Sequence, residues 1–348
     1  MSIRLHRMTE TSAKMNIEGG CALQVQVLGN SLVVTTDKQW NGQALQDGLK
    51  RQLMLPSAYV KGLFADGRVR SGKQRLSADD VVQGSTKILL MGDVEDDYGI
   101  HISASHMDAN RAIVPLWEDD HALILNKPAG LIIYPSDAGE SDTLAHRVAS
   151  YYERTGQRHK VRHVHRLDRD TTGAILYAKH GYIARALDAL LAERRVERTY
   201  WAVVQGQPKS PRGSIRLPIG RDRHTAGRYR VSKTGKEAVT VYEVLGSVSI
   251  ANGKVSLVQC RLETGRTHQI RVHMSAIGCP VVGDVLYGGG DGVGTVDLEQ
   301  GYALHAVQLA FYHPYDRRQV TVHAPLPEHF AQLLARVGLG RFAEVGAI

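Results

Sequence analysis

Apolar positions along the chain switch repeatedly between a period of two and a period near four. Leu23, Val25 and Val27 alternate with Gln24 and Gln26, and alternation resumes over Leu32 to Thr35. That pattern predicts a short hairpin across Gly29-Asn30, after a polar lead-in without period up to about Gly20. Leu45, Leu49 and Leu53 then fall on one helical face. Pro56 breaks that helix, and Ser57 is placed to cap a second one through Tyr59 to Phe64. Lys87 to Leu90 reads as a strand. Residues 92–112 lose all period and carry an acidic run, the composition of a linker. A second unit opens at Ile113–Trp117 and Ala122–Leu125. Its helices are predicted over Ser141–Glu153, stopped at Gly156, and over residues 181–195, where Ile183, Leu187, Leu190 and Leu191 share a face. A third should follow with Ile270, Met274 and Ile277 together. Strands are predicted at 174–178, 198–204, 238–245 and 255–262. Because strands outnumber crossover helices over 174–325, the expected class is α+β with a largely antiparallel mixed sheet.

Composition narrows this modestly. The 348 residues are 43% hydrophobic and 22% charged, which are ordinary globular values. The net charge of +8 and pI near 9.3 favour an anionic partner, nucleic acid before membrane. Cys21, Cys260 and Cys279 are sparse and widely spaced, as suits reduced thiols in a cytoplasm. Neither a signal peptide nor a run of ~20 apolar residues is evident, so a soluble cytoplasmic protein is expected.

Charge concentrates in His163–Gly173, which holds Asp168, Asp170, Arg166, Arg169, His163 and His165 and leads directly into the apolar run 174–178. A charged loop feeding a core strand is held rigidly, and Asp168 between two arginines is favoured as a carboxylate able to act as base or nucleophile. A purely ion-paired structural loop would have the same composition. Between Arg212 and Lys236 eight basic residues face one acid, Asp222, with four glycines among them. This suits a loop gripping phosphates through Arg221, Arg223, Arg228 and Arg230.

The string His165-Arg-Leu-Asp-Arg-Asp-Thr-Thr-Gly173 resembles, nearly letter for letter, the catalytic motif of RluA-type pseudouridine synthases. Arg198–Val204 is similar to that family's second motif and Leu262–Met274 to its third, in the same order. The resemblance covers about 113–330. It implies that Asp168 is the catalytic residue, that Tyr200 packs against the target base and that Arg266 pairs with Asp168. Uridine in RNA would be isomerised to its C-glycoside without cofactor or metal. Arg166, His165, Arg169 and Arg271 join the basic stretch as candidate RNA contacts. Lys127, in Asn126-Lys-Pro-Ala-Gly130, is either a turn residue or a phosphate-facing charge. Tyr134 stands where the family carries histidine, and no role is transferred to it. Helix–helix–Gly67-Arg-Val69–Gly72-Lys73–strand resembles the S4 RNA-binding module, with Arg68, Arg70 and Lys73 as carried-over contacts.

The expected organisation is a lead-in and hairpin (1–40), an S4-like domain (41–92), a linker (93–112), the catalytic domain (113–330) and a C-terminal helix or tail (331–348), acting as a monomer on ribosomal or transfer RNA. His159, His163 and His165 lack ligands at zinc-like spacing, and Gly288–Gly294 lacks the strand and helix of a nucleotide loop. Two other classes compete. A catalytically silent RNA-binding or ribosome-assembly protein would share the basic surface, and a hydrolase could pair Asp168 with Asp170.

Overall fold

The computed structural model describes residues 23–92, 97–108, 112–135, 140–251, 253–290 and 301–342. The lead-in expected up to Gly20 and part of the glycine-rich run after Gly288 lie outside them. The chain opens with strands β1 (Gln24–Leu28) and β2 (Ser31–Thr35), turning at Gly29 with φ 57°. Helices α1 (Leu45–Gln52) and α2 (Ser57–Ala65) follow, then β3 (Val69–Ser71), β4 (Gln74–Arg75) and β5 (Lys87–Leu90). Ser57 is the first residue of α2, after Pro56, and its hydroxyl does not cap the helix. The five strands form one sheet in the order β1-β2-β5-β3-β4. The hairpin at 23–35 is thus part of the unit placed at 41–92, because β2 pairs with β5 and Leu32 and Val34 pack with Leu45, Leu49 and Ile88.

The second unit comprises β6 (Pro115–Glu118), β7 (Ala122–Lys127), α3 (Leu144–Arg154), β8 (Thr172–Ala178), α4 (Gly181–Ala192), β9 (Val196–Gln205) and β10 (Arg212–Arg216). It continues through β11 (Ile219–Arg221), β12 (Tyr229–Val231), β13 (Val239–Ile250), β14 (Gly253–Leu262), α5 (Gln269–Ala276), β15 (Leu304–Tyr312), β16 (Gln319–His323) and α6 (Glu328–Arg336). The main sheet runs β10-β13-β14-β9-β15-β8-β7-β6, with β16 beside β15. Among the described residues only β8 and β15 pair in parallel, so the sheet is largely antiparallel. The basic stretch 212–236, expected as a loop, instead carries β10 and the β11–β12 hairpin. Ile219 and Tyr229 explain this, packing with Val272 and Tyr287 while Arg221 and Arg230 stay exposed. Among the described residues no helix is long and apolar enough to cross a membrane.

The sheet buries both faces. Leu123, Leu125, Ile175 and Tyr177 meet α3, while Phe330, Leu333 and Leu334 of α6 join the same core. A boundary at 330 would therefore cut through a helix of this unit. The other face, Ala122, Ile124 and Leu176, lies against Ile183 and Leu187 of α4, and that core runs on without a break into Leu45, Leu49 and Val60 of the N-terminal unit. The junction is specific as well as apolar. Tyr182 Oη donates to Met91 O at 2.9 Å, and the Arg185 guanidinium lies 3.6 Å from the Tyr59 ring centre. Within 92–112, residues 97–108 are no loose linker. Val161 N donates to Tyr98 O at 2.8 Å, and His106 stacks on His146 at 4.5 Å.

Candidate active site

The loop 163–171 reaches the surface between α3 and β8, and three of the features that hold it lie towards its C-terminal end. Thr171 N donates to Asp168 O at 3.2 Å, closing a tight turn. Gly173 has φ 108°, and a Cβ there would stand 2.3 Å from Ala306 O, so this glycine permits the close parallel contact between β8 and β15. Lys127 supplies the third. Its side chain is buried, and Nζ donates to Arg169 O at 2.5 Å, Leu131 O at 2.7 Å and Pro128 O at 2.9 Å. The expected phosphate-facing lysine is therefore a brace beneath the loop. No water reaches it, and three carbonyls match the three hydrogens of an ammonium.

Burial pulls Lys127 down to about 7 from the ordinary lysine value, against the opposing pull of Asp170 and Asp168. With its native pKa below its unfolded one, its charge burdens the fold fully below about pH 7. That burden is relieved as pH rises towards the ordinary lysine range. Lys127→Met would leave three carbonyls unmet, so we expect stability to fall by roughly 2–4 kcal/mol in urea titration. Turnover should fall with it, because Arg169 O adjoins Asp168. Unchanged stability would show that the loop stands without this brace.

Asp168 is held from one side. Its Oδ2 lies 3.2 Å from Arg271 Nη1 and 3.5 Å from Tyr302 Oη, while Oδ1 has no hydrogen-bond partner among the described residues. Arg271 is itself gripped by Asp284, Nε to Oδ2 at 2.6 Å and Nη2 to Oδ1 at 2.9 Å, in a two-pronged pair. Its Cζ lies 4.2 Å from the Tyr302 ring centre and 4.9 Å from that of Tyr287. Burial works against the Arg271 charge, but Asp284, Tyr302 and Asp168 together hold its pKa above the ordinary arginine value. Burial and the nearby Asp168 push the Tyr302 phenol well up, so it stays a donor.

Arg271 thus takes the place expected for Arg266. Arg266 is exposed on the loop before α5, where its Nε donates to Glu237 O at 2.8 Å. The physical reason is the entry to α5. His268 adopts φ 57°, which reverses the chain and turns the first helical turn, with Arg271, towards Asp168. Arg271 is consequently no RNA contact.

A cleft of about 950 Å³ opens beside Asp168, lined by Tyr200, Arg166, Arg169, Arg198, Tyr229 and Arg266 among others. Tyr200 is 3% exposed and forms part of its floor. His268 stands beside Asp168. Tyr287 Oη accepts from Tyr229 N at 2.9 Å and lies within hydrogen-bonding distance of His268 Nδ1, 2.8 Å away. Tyr134 also lines the cleft and donates from Oη to Gly99 O, tying the 97–108 segment to its rim. Asp170 packs against Gly301 and is absent from the cleft lining, so the two aspartates do not face one another across it.

The candidate RNA contacts divide. Arg166, Arg169, Arg221, Arg223 and Arg230 are exposed, and Arg228 is half-buried on the β11–β12 hairpin. His165 is buried, where Nε2 accepts from Leu176 N at 3.3 Å, and burial drives it down to about 3. A neutral, inward imidazole is a wall of the site and makes no phosphate contact. In the N-terminal unit Arg70 and Lys73 are exposed, but Arg68 is turned into the junction, Nε donating to Met91 O at 2.8 Å. Sequence reasoning passed over Asp284, Tyr302, His268 and Arg198. Asp284 had a signal in Gly283-Asp284, since a lone acid in an apolar stretch must find a cation once buried.

Asp119, His313 and Asp316 bring ligand atoms within 4.8 Å of one another, between the β6–β7 turn and the end of β15. His313 Nδ1 accepts from Asp316 N at 2.9 Å, leaving Nε2 with the proton and facing Asp119 Oδ2 at 3.2 Å. The two atoms are close but not aligned as a hydrogen bond, and each is buried without a hydrogen-bond partner.

A family model for RNA pseudouridylate synthase matches residues 121–276. The uncharacterized RNA pseudouridine synthase YhcT of Bacillus subtilis is 35% identical over 88% of this chain and 97% of its own length. Ribosomal large subunit pseudouridine synthase D of Nitrosomonas europaea is 32% identical over 86% of this chain and 81% of its own. Among solved structures, human RNA pseudouridylate synthase domain containing 4 is similar with TM-score 0.54 and 26% identity, over 66% of this chain and 94% of that one. With the fold, the three ordered motifs and these relatives in agreement, the chain belongs to the RNA pseudouridine synthase family.

Proposed function

We propose that this enzyme acts on uridine in large-subunit ribosomal RNA, with Asp168 as the catalytic carboxylate. The observation that carries this reading is the one-sided hold on Asp168. One oxygen is fixed by Arg271 and Tyr302, and the other has no hydrogen-bond partner among the described residues, beside a cleft floored by Tyr200. Breaking the N-glycosidic bond, turning the uracil and joining C5 to C1′ needs one well-directed carboxylate and a surface on which the base can turn. A stacked uridine must first leave its helix, as for other base-modifying enzymes. Tyr200 would then lie against it, and burial, which raises its phenol pKa, keeps the ring uncharged. The exposed arginines of the β11–β12 hairpin and rim would hold the flanking phosphates, with Arg70 and Lys73 of the S4-like unit as a second handle. The choice of ribosomal over transfer RNA rests on the names of relatives such as the Nitrosomonas protein.

The test is tritium release from a large-subunit ribosomal RNA transcript labelled at uridine C5, followed by carbodiimide mapping of the product. We expect release in fixed stoichiometry at discrete positions. Release from transfer RNA transcripts only would redirect the substrate, and release from neither would refute the reading.

A further inference from the structure

Arg198 is an arginine whose neighbours do not account for it. It sits on β9, half-buried, and lines the cleft. Its Nε is buried without a hydrogen-bond partner, and among the described residues no carboxylate pairs with it. The acids nearby are engaged elsewhere. Glu263 faces Arg194 at 3.4 Å and Arg216 at 4.0 Å, and Asp168 faces Arg271. The backbone of Gly265 lies against the guanidinium so closely that a Cβ there would be 3.3 Å from Nη1. Its other neighbours, His165 and Tyr200, offer it no charge, the first being neutral through burial and the second a phenol. A guanidinium brings five donors and a permanent charge, and partial burial without acceptors is costly. The ligand that best repays it is a phosphate, which accepts two parallel N–H bonds from the planar fork.

Its position says which phosphate. Arg198 and Tyr200 are two residues apart on one strand, so both side chains leave the same face about 7 Å apart. That is comparable to the separation of base and phosphate within one nucleotide. The exposed rim arginines can touch any passing RNA, whereas Arg198 is half-buried in the cleft wall. We propose that Arg198 clamps the phosphodiester of the flipped nucleotide whose base lies against Tyr200. The inference rests on the uridine-site reading above and adds a phosphate subsite to it.

The test uses the full-length protein and Arg198→Met, with Arg198→Lys as the variant that keeps the charge. On the C5-tritiated transcript, Arg198→Met should lower kcat/KM about tenfold to a hundredfold, and Arg198→Lys by less. Binding to a fluorescent uridine-containing RNA oligonucleotide is measured in parallel across a salt series. The slope of log affinity against log salt should shrink by about 0.7 in Arg198→Met, one phosphate contact on a single strand. Once the target uridine is mapped, synthetic substrates carry an uncharged methylphosphonate on its 5′ or 3′ side. On one of them Arg198→Met should cost nothing further, because both changes remove the same contact. Full additivity on both substrates, or an unchanged salt slope, would overturn the clamp. If Arg198→Lys and Arg198→Met lose thermal stability equally and turn over alike, Arg198 is a packing residue. The binding arm does not need turnover, so a wild type inactive on every transcript would refute the proposed function and still leave the slope to decide Arg198.

Discussion

Asp168→Asn is expected to abolish pseudouridine formation while leaving RNA affinity within about twofold, since binding rests on many phosphate contacts. The exchange keeps the size of the side chain and one oxygen. It removes the negative charge that Arg271 Nη1 meets at 3.2 Å, and the nucleophilic or basic oxygen beside the cleft. An amide can still accept from Arg271, so the loop should keep its course, with Lys127 and Gly173 holding it from beneath. The measurement is single-turnover tritium release beside filter binding. Appreciable turnover by a clean Asn preparation would remove Asp168 from the chemistry. Loss of binding together with turnover would make the residue part of the RNA grip.

The second large effect is expected at the ion ladder behind Asp168. Arg271 is 6% exposed and Asp284 1%, so each charge depends on the other in a nearly dry place. Removing one member of such a pair costs more than the pair is worth, typically about 3–5 kcal/mol. Asp284→Asn should therefore destabilise the enzyme by about that amount and lower turnover at least about a hundredfold, with Asp168 losing its fixed direction. Arg271→Lys keeps the charge but cannot span both carboxylates with a planar fork, and should lose most turnover at a smaller stability cost. Combining either with Asp168→Asn should add little, as members of one catalytic unit are not additive. Urea unfolding and tritium release on the same preparations separate these outcomes. If Arg271→Lys turned over like wild type and Arg266→Lys did not, the pairing assigned from the motif would be the correct one after all.

That exchange of arginines marks how far the sequence could be read. Periodicity placed most elements to within a few residues, because buried stripes such as Leu45, Leu49 and Leu53 or Ile183, Leu187 and Leu190 obey local geometry. The central motif named Asp168 through a continuous string. Its partner lay over a hundred residues away, where a left-handed His268 decides which of two nearby arginines turns inward, and no propensity encodes that choice. Lys127 and Arg68 were misread for a related reason. A basic side chain looks the same in sequence whether it meets phosphate or three buried carbonyls. Residues 97–108 resembled a linker because their anchors, Tyr98 and His106, act singly and leave no period.

The unbroken core between the two units changes how an RNA would be recognised. A handle on a flexible tether raises the local concentration of its substrate and leaves the second contact to chain statistics. Here Leu45, Val60 and Ile183 share one packed interior, and Tyr182 fastens Met91 across the junction. With the handle proposed above, the exposed Arg70 and Lys73 stand at a set distance and angle from Asp168. On that proposal the protein would act as a caliper, and the quantity it measured would be the shape of a folded RNA between two points rather than the letters along a strand.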